Sequence, residues 1–211
     1  MNIATYFSKN HVLHRIKWRF LFSLFILCVL SLSSYAQSTG IFRIDYLNSS
    51  WDNVTTYANT IQDVFDVSIL PNLNRDEPIS VTLTDDYIVE NTTPFEIIIE
   101  NDVTYEVDLI DHQLQVSANF TIKTGGSLRI IGDNQKTKFV NSTITVLPPE
   151  NDEHNPSTLY IDGIHIESPY GKSCLTIKPD NDKNSTSVTL LDGEFFSDFA
   201  AITNQGPKDR S

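Results

Sequence analysis

The chain has 211 residues, with 27 acidic against 15 basic side chains and a formal charge of −12. That balance argues against nucleic acid or an anionic membrane surface as partner and suits a solvated acidic surface, calcium or a cationic partner. Two cysteines in this length exclude a disulfide-rich scaffold.

Residues 1–20 carry Lys9, Arg15, Lys17 and Arg19 and no acid. An uncharged apolar run follows, LFSLFILCVLSLSS at 21–34, and then Ser34 and Ala36 at the small positions of a cleavage site. The pattern predicts a secretory signal over 1–36, cut after Ala36. The apolar run is shorter than the ~20 residues a bilayer span needs. Cys28 lacks the small preceding residue of a lipoprotein signal, so no lipid anchor is expected. The mature chain would be 37–211, without a membrane span. Losing four bases and no acids leaves 11 basic and 27 acidic residues, a formal −16. Cys174 would then be the only cysteine, and its place in SCLTIK reads as a buried small hydrophobe.

Residues 49–65 read as an amphipathic helix. Trp51, Val54, Tyr57, Ala58, Ile61 and Val64 recur at three- and four-residue steps, with Ser49 or Ser50 to cap and Asp52 in the first turn. This element anchors an N-terminal segment, 37–78, ended by Pro71 and its polar neighbours.

From Ile79 the pattern changes to strand, turn, strand. Ile79, Val81 and Leu83 alternate with polar residues, as do Phe95, Ile97, Ile99, Val103, Tyr105, Val107 and Leu109. Leu114, Val116, Ala118, Phe120 and Ile122 continue the alternation. Period two places these on an inner face and Glu96, Glu100, Glu106 and Asp108 on an outer one. Further short strands are expected near 127–131, 138–146, 158–166, 173–177 and 187–196.

These strands repeat. SLRIIG at Ser127, STLYIDG at Ser157 and SVTLLDG at Ser187 start at equal intervals, which sets Ile131, Ile161 and Leu191 in equivalent places and aligns Ile166 with Phe196. Such a unit cannot bury its apolar face alone but can do so stacked on its copies. The stretch GGSLRIIGDNQKTKFVNSTITV, with STLYIDGIHIES, CLTIK and SVTLLDGEFFSD, resembles coils of the right-handed parallel β-helices of the pectin-lyase-like superfamily. The resemblance covers roughly 79–206. It implies an all-β solenoid over 79–211 with the 49–65 helix as N-terminal cap, in a group that includes polymorphic outer-membrane proteins, adhesin passengers and pectin-modifying enzymes. An antiparallel β-sandwich is the alternative fold; the even spacing of the repeat stands against it.

Asp162-Gly163 and Asp192-Gly193 fall at matching places of the repeat. Stacked one coil apart at roughly 4.8 Å, the two carboxylates could share a proton or a cation. Read as corners, Asp caps local amides and Gly accepts positive φ, and this reading is preferred. Asp180, Asp182 and Asn184 have the D-x-D-x-N spacing of a calcium loop, but Ser185 and Leu191 stand where an EF-hand has Gly and Glu. A polar corner loop is preferred there, with calcium the only cofactor to consider. Arg129 is expected to point outward without an acidic partner, and His165 to face solvent. His112, His154 and His165 share no metal-ligand spacing. Asn48, Asn53, Asn91, Asn119, Asn141 and Asn184 are glycosylation acceptors if the host glycosylates.

The superfamily's enzyme signatures, Asn-Thr-Asp, Gly-His-Gly, Arg-Ile-Lys and Gln-Asp-Thr-Leu, are not present in the expected mature chain 37–211; the one Arg-Ile-Lys, at 15–17, falls in the signal segment. The final AAITNQGPKDRS looks like the start of another coil without a cap. The expectation is therefore a secreted or cell-surface β-helix with a non-catalytic binding, adhesion or structural role, and carbohydrate or a surface protein as partner. A polysaccharide lyase or hydrolase, incomplete in this chain, is the alternative.

Overall fold

A computed structural model describes residues 40–90, 93–149, 155–178 and 186–205, all within the compact unit Gly40–Ser211. The expected signal segment lies outside them. The described chain opens with β1 (Phe42–Leu47) and β2 (Asn53–Ala58), a single-turn helix α1 (Ile61–Val64) and a 3-10 turn (Val67–Ile69). Triplets of strands follow: β3 (Ile79–Leu83), β4 (Tyr87–Ile88) and β5 (Phe95–Ile99), then β6 (Thr104–Asp108), β7 (Leu114–Val116) and β8 (Ala118–Ile122). The third triplet is β9 (Ser127–Ile131), β10 (Thr137–Phe139) and β11 (Thr143–Val146). The fourth is β12 (Thr158–Asp162), β13 (Ile164–Glu167) and β14 (Leu175–Ile177), and the fifth β15 (Ser187–Leu190), β16 (Gly193–Phe196) and β17 (Ile202–Asn204).

Each member of a triplet pairs with the same member of the next, and every such pairing is parallel. The result is a parallel β-solenoid of about four turns with three faces. The first face runs β15-β12-β9-β6-β3 and continues into β1 and β2, the second β16-β13-β10-β7-β4, and the third β17-β14-β11-β8-β5. Parallel stacking of all three faces rules out the antiparallel sandwich. The alternating residues from Ile97 to Ile122 point inward as the period-two pattern requires, and Leu114, Val116, Ala118 and Ile122 have no accessible surface.

Two expectations are corrected. The first is the capping helix over 49–65. Residues 53–58 form β2, antiparallel to β1 from Leu47↔Asn53 to Phe42↔Ala58, and only Ile61–Val64 is helical. Val54, Thr55, Thr56 and Tyr57 are β-branched or aromatic, stiff on a helix and well suited to a pleated surface. Pairing along the whole length of β1 outweighs the helical spacing of the same apolar residues. Trp51, expected on the buried helix face, is 63 % exposed with φ +63. Thr60, two residues past the strand, caps α1, its hydroxyl oxygen accepting from Asp63 N at 3.2 Å. Ile61 and Val64 are buried, and Phe65 meets Phe120 edge-on at 5.7 Å between ring centroids. Phe120 meets Phe139 in the same way at 5.4 Å, so a column of rings fills this end of the solenoid. Tyr105 lies against Phe65 at 4.8 Å. Its hydroxyl is buried without a hydrogen-bond partner, and burial pushes the phenol pKa up.

The second correction concerns register. Thr158, not Ser157, pairs with both Ser127 and Ser187. The first of these steps is therefore longer than the even interval of the sequence repeat, and the second shorter. Ile161 stacks between Ile130 and Leu190. Ile131 and Leu191 belong to the outer side, and Leu191 is exposed. Likewise Ile166 pairs with Phe195, leaving Phe196 outside. A one-residue shift sends every side chain of a strand to the opposite face, which is why the buried pattern fixes this register.

Candidate functional site: the outer ladders

Because the strands stack in register, outward side chains form ladders parallel to the solenoid axis, repeating about every 4.8 Å. On the first face Ser80, Glu106, Arg129, Tyr160 and Thr189 occupy successive rungs. Arg129 is outward as expected, but it is not without an acidic partner. Its Nη1 lies 3.6 Å from Glu106 Oε1, and its guanidinium sits 5.1 Å from the centre of the Tyr160 ring. The two partners belong to the coils before and after Arg129, so only the coil register brings the three together.

On the third face Ile98, Thr121, Thr145, Thr176 and Thr203 form one ladder. Beside it, Asn119 donates from Nδ2 to Glu96 Oε1 at 2.8 Å and accepts from the Thr143 hydroxyl at 2.9 Å. On the second face the rungs are Gln115, Lys138, His165 and Glu194. An open groove borders this face where it turns into the third, lined by Glu90, Gln115, Ser117, Val140 and Asn141.

His165 departs most from expectation. It points outward, yet only 13 % of its side chain is accessible. Phe196 lies over its ring at 4.8 Å, tilted by 31°. Nδ1 is 2.9 Å from Glu194 Oε2 on the next coil, and Nε2 is 2.9 Å from Glu167 Oε1 on the same strand. Both ring nitrogens are thus engaged by carboxylates of this chain. Nothing in the local sequence IHIES announces Glu194; a correct alignment of coils would have found it.

The acids expected to stack do not. Asp162 pairs with Ile131, and Gly163 N donates to the Asp192 carbonyl, which sets Asp192 opposite Gly163. The two Asp-Gly corners also differ in backbone: Gly163 has φ +66, whereas Gly193 is not left-handed. Cys174 is fully buried, as expected, with Sγ 3.0 Å from the Phe196 carbonyl, and burial raises its pKa. Asp180, Asp182 and Asn184 lie outside the described residues, as do His154 and the acceptors Asn91 and Asn184. Of the other acceptors, Asn53 is exposed at the start of β2, and Asn141 holds a left-handed corner at φ +52. The Asn48 side chain accepts from Ser50 N and Asp52 N at 2.9 and 3.0 Å, and the Asn119 amide is tied into its ladder. Among the described residues no three His, Cys, Asp or Glu side chains converge as metal ligands, and no helix is long and apolar enough to cross a membrane.

Fold and outer surface define the class: a parallel β-solenoid that presents periodic polar ladders. No family model, curated protein or solved structure matches the chain.

Proposed function

We propose that this is a secreted or cell-surface, right-handed parallel β-helix of the pectin-lyase-like kind, whose role is to bind rather than to catalyse. Right-handed winding follows the strong preference of parallel crossover connections. The observation that carries the binding reading is the set of outer ladders. Thr121, Thr145, Thr176 and Thr203 present stiff, β-branched hydroxyls at a constant spacing, beside the hydrogen-bonded Glu96–Asn119–Thr143 chain. A surface so regular suits an extended, repeating partner such as a carbohydrate chain or the face of a surface protein, and its preorganisation lowers the entropy cost of binding.

The test is retention of the purified chain on immobilised polysaccharides, with T145R and T176R on the third face and R129E on the first. Binding lost in the two threonine variants and kept in R129E supports the reading. Cleavage of a uronic-acid polymer, dependent on calcium and abolished by D162A or D192A, overturns it in favour of a polysaccharide lyase or hydrolase.

A further inference from the structure

We propose that His165 is a proton-operated clasp holding the last described coil onto the stack, a device independent of what the outer faces bind. The geometry carries it. Ionised carboxylates only accept hydrogen bonds, and a neutral imidazole has a single N–H to donate. Here both ring nitrogens lie 2.9 Å from carboxylate oxygens, Glu167 Oε1 on β13 and Glu194 Oε2 on β16. Both contacts are hydrogen bonds only when both nitrogens carry protons. Removal of one proton leaves a nitrogen lone pair against a carboxylate and deletes the positive charge between two negative ones.

The other groups around the ring set the context. Lys138 of β10 is the register partner of His165 on the side away from β16 and opposes the ring's charge. Phe196 of β16 covers the ring and shields it from solvent. The clasp matters because this coil, although hydrogen-bonded to the one before it, has a thin apolar core. In its core columns Val188, Leu190 and Phe195 are only partly buried and Ile202 is 45 % exposed, while Ile161, Ile164, Ile166 and Leu175 one coil earlier have no accessible surface. β16 is held when the ring is charged and loosens as pH rises through the range in which histidines lose their proton, between about pH 5 and 8.

Hydrogen exchange of the full chain tests this, with protection in β16 divided by protection in β7 on the same face at about pH 5.5 and pH 7.5. In the wild type this ratio should fall roughly three- to tenfold at the higher pH, the size of one charge-assisted bond at a partly exposed site. H165F keeps a ring under Phe196 but cannot titrate, and should show no pH dependence. E194Q removes the inter-coil acceptor charge and should flatten the ratio in the same way, so either variant serves if the other fails to fold. A wild-type ratio unchanged between the two pH values, or a fall that persists in H165F or E194Q, overturns the proposal.

Discussion

The first and the last described coils are built differently. At the N-terminal end the first face does not stop at a parallel edge. β1 reverses direction against β3, with Ile44 opposite Val81 and Phe42 opposite Leu83, and β2 pairs outside it. Ile61, Val64 and Phe65 then cover the core from the end, and all three are buried. In the last described coil β15, β16 and β17 each pair on one side only, among the described residues. Phe196, Phe199 and Ile202 are exposed there. A solenoid closes where the chain reverses and lays apolar side chains across its axis. In the last described coil the apolar columns are less buried, and polar contacts such as the His165 clasp count for more.

Substitutions in these two regions should differ accordingly. The largest loss is expected for F120A in the closed end, where the ring packs between Phe65 and Phe139: about 3–5 kcal/mol in urea denaturation. A cost below about 1 kcal/mol would break the comparison, since it would mean that the ring column does not hold this end. Next comes G163A, which places a Cβ against the Gly132 carbonyl at a residue with φ +66 and should cost about 1–3 kcal/mol. G193A, at the other Asp-Gly, has no left-handed backbone but its Cβ meets Phe195 Cε2 at 3.0 Å and the Ile164 carbonyl at 3.3 Å, and it should cost less, up to about 1 kcal/mol. Equal costs at the two glycines would restore the evenly spaced alignment of the repeat. In the last described coil L190A should cost about 1 kcal/mol, because its side chain is only partly buried in the folded state. The smallest effect is R129A, a few tenths of a kcal/mol and weaker still in high salt, because Arg129 and Glu106 are both nearly half exposed.

Much of the solenoid is legible in the sequence, because inward alternation from Ile79 to Ile122 is strict and coils recur. The finer features are not. Spacing the coils evenly through Ser127, Ser157 and Ser187 averages one longer and one shorter step. That slip moved Leu191 and Phe196 to the wrong side and stacked Asp162 on Asp192. An ungapped repeat cannot reveal where a corner gains or loses a residue; burial can. FRIDYL at 42–47 alternates as clearly as any later strand and pairs on both sides, and the apolar spacing just after it mimics a helix while serving a strand. The Glu106–Arg129–Tyr160 and Glu167–His165–Glu194 groups join residues from different coils, so they become visible only once the register is right.

Native-state hydrogen exchange resolved strand by strand tests the inequality of the first and last described coils most directly. The account predicts strong protection in β3, β6, β9 and β12 under their antiparallel cap, and the weakest in β15, β16 and β17, which open before the rest of the chain unfolds. Protection in β15–β17 equal to that of β3, lost only with global unfolding, would contradict it.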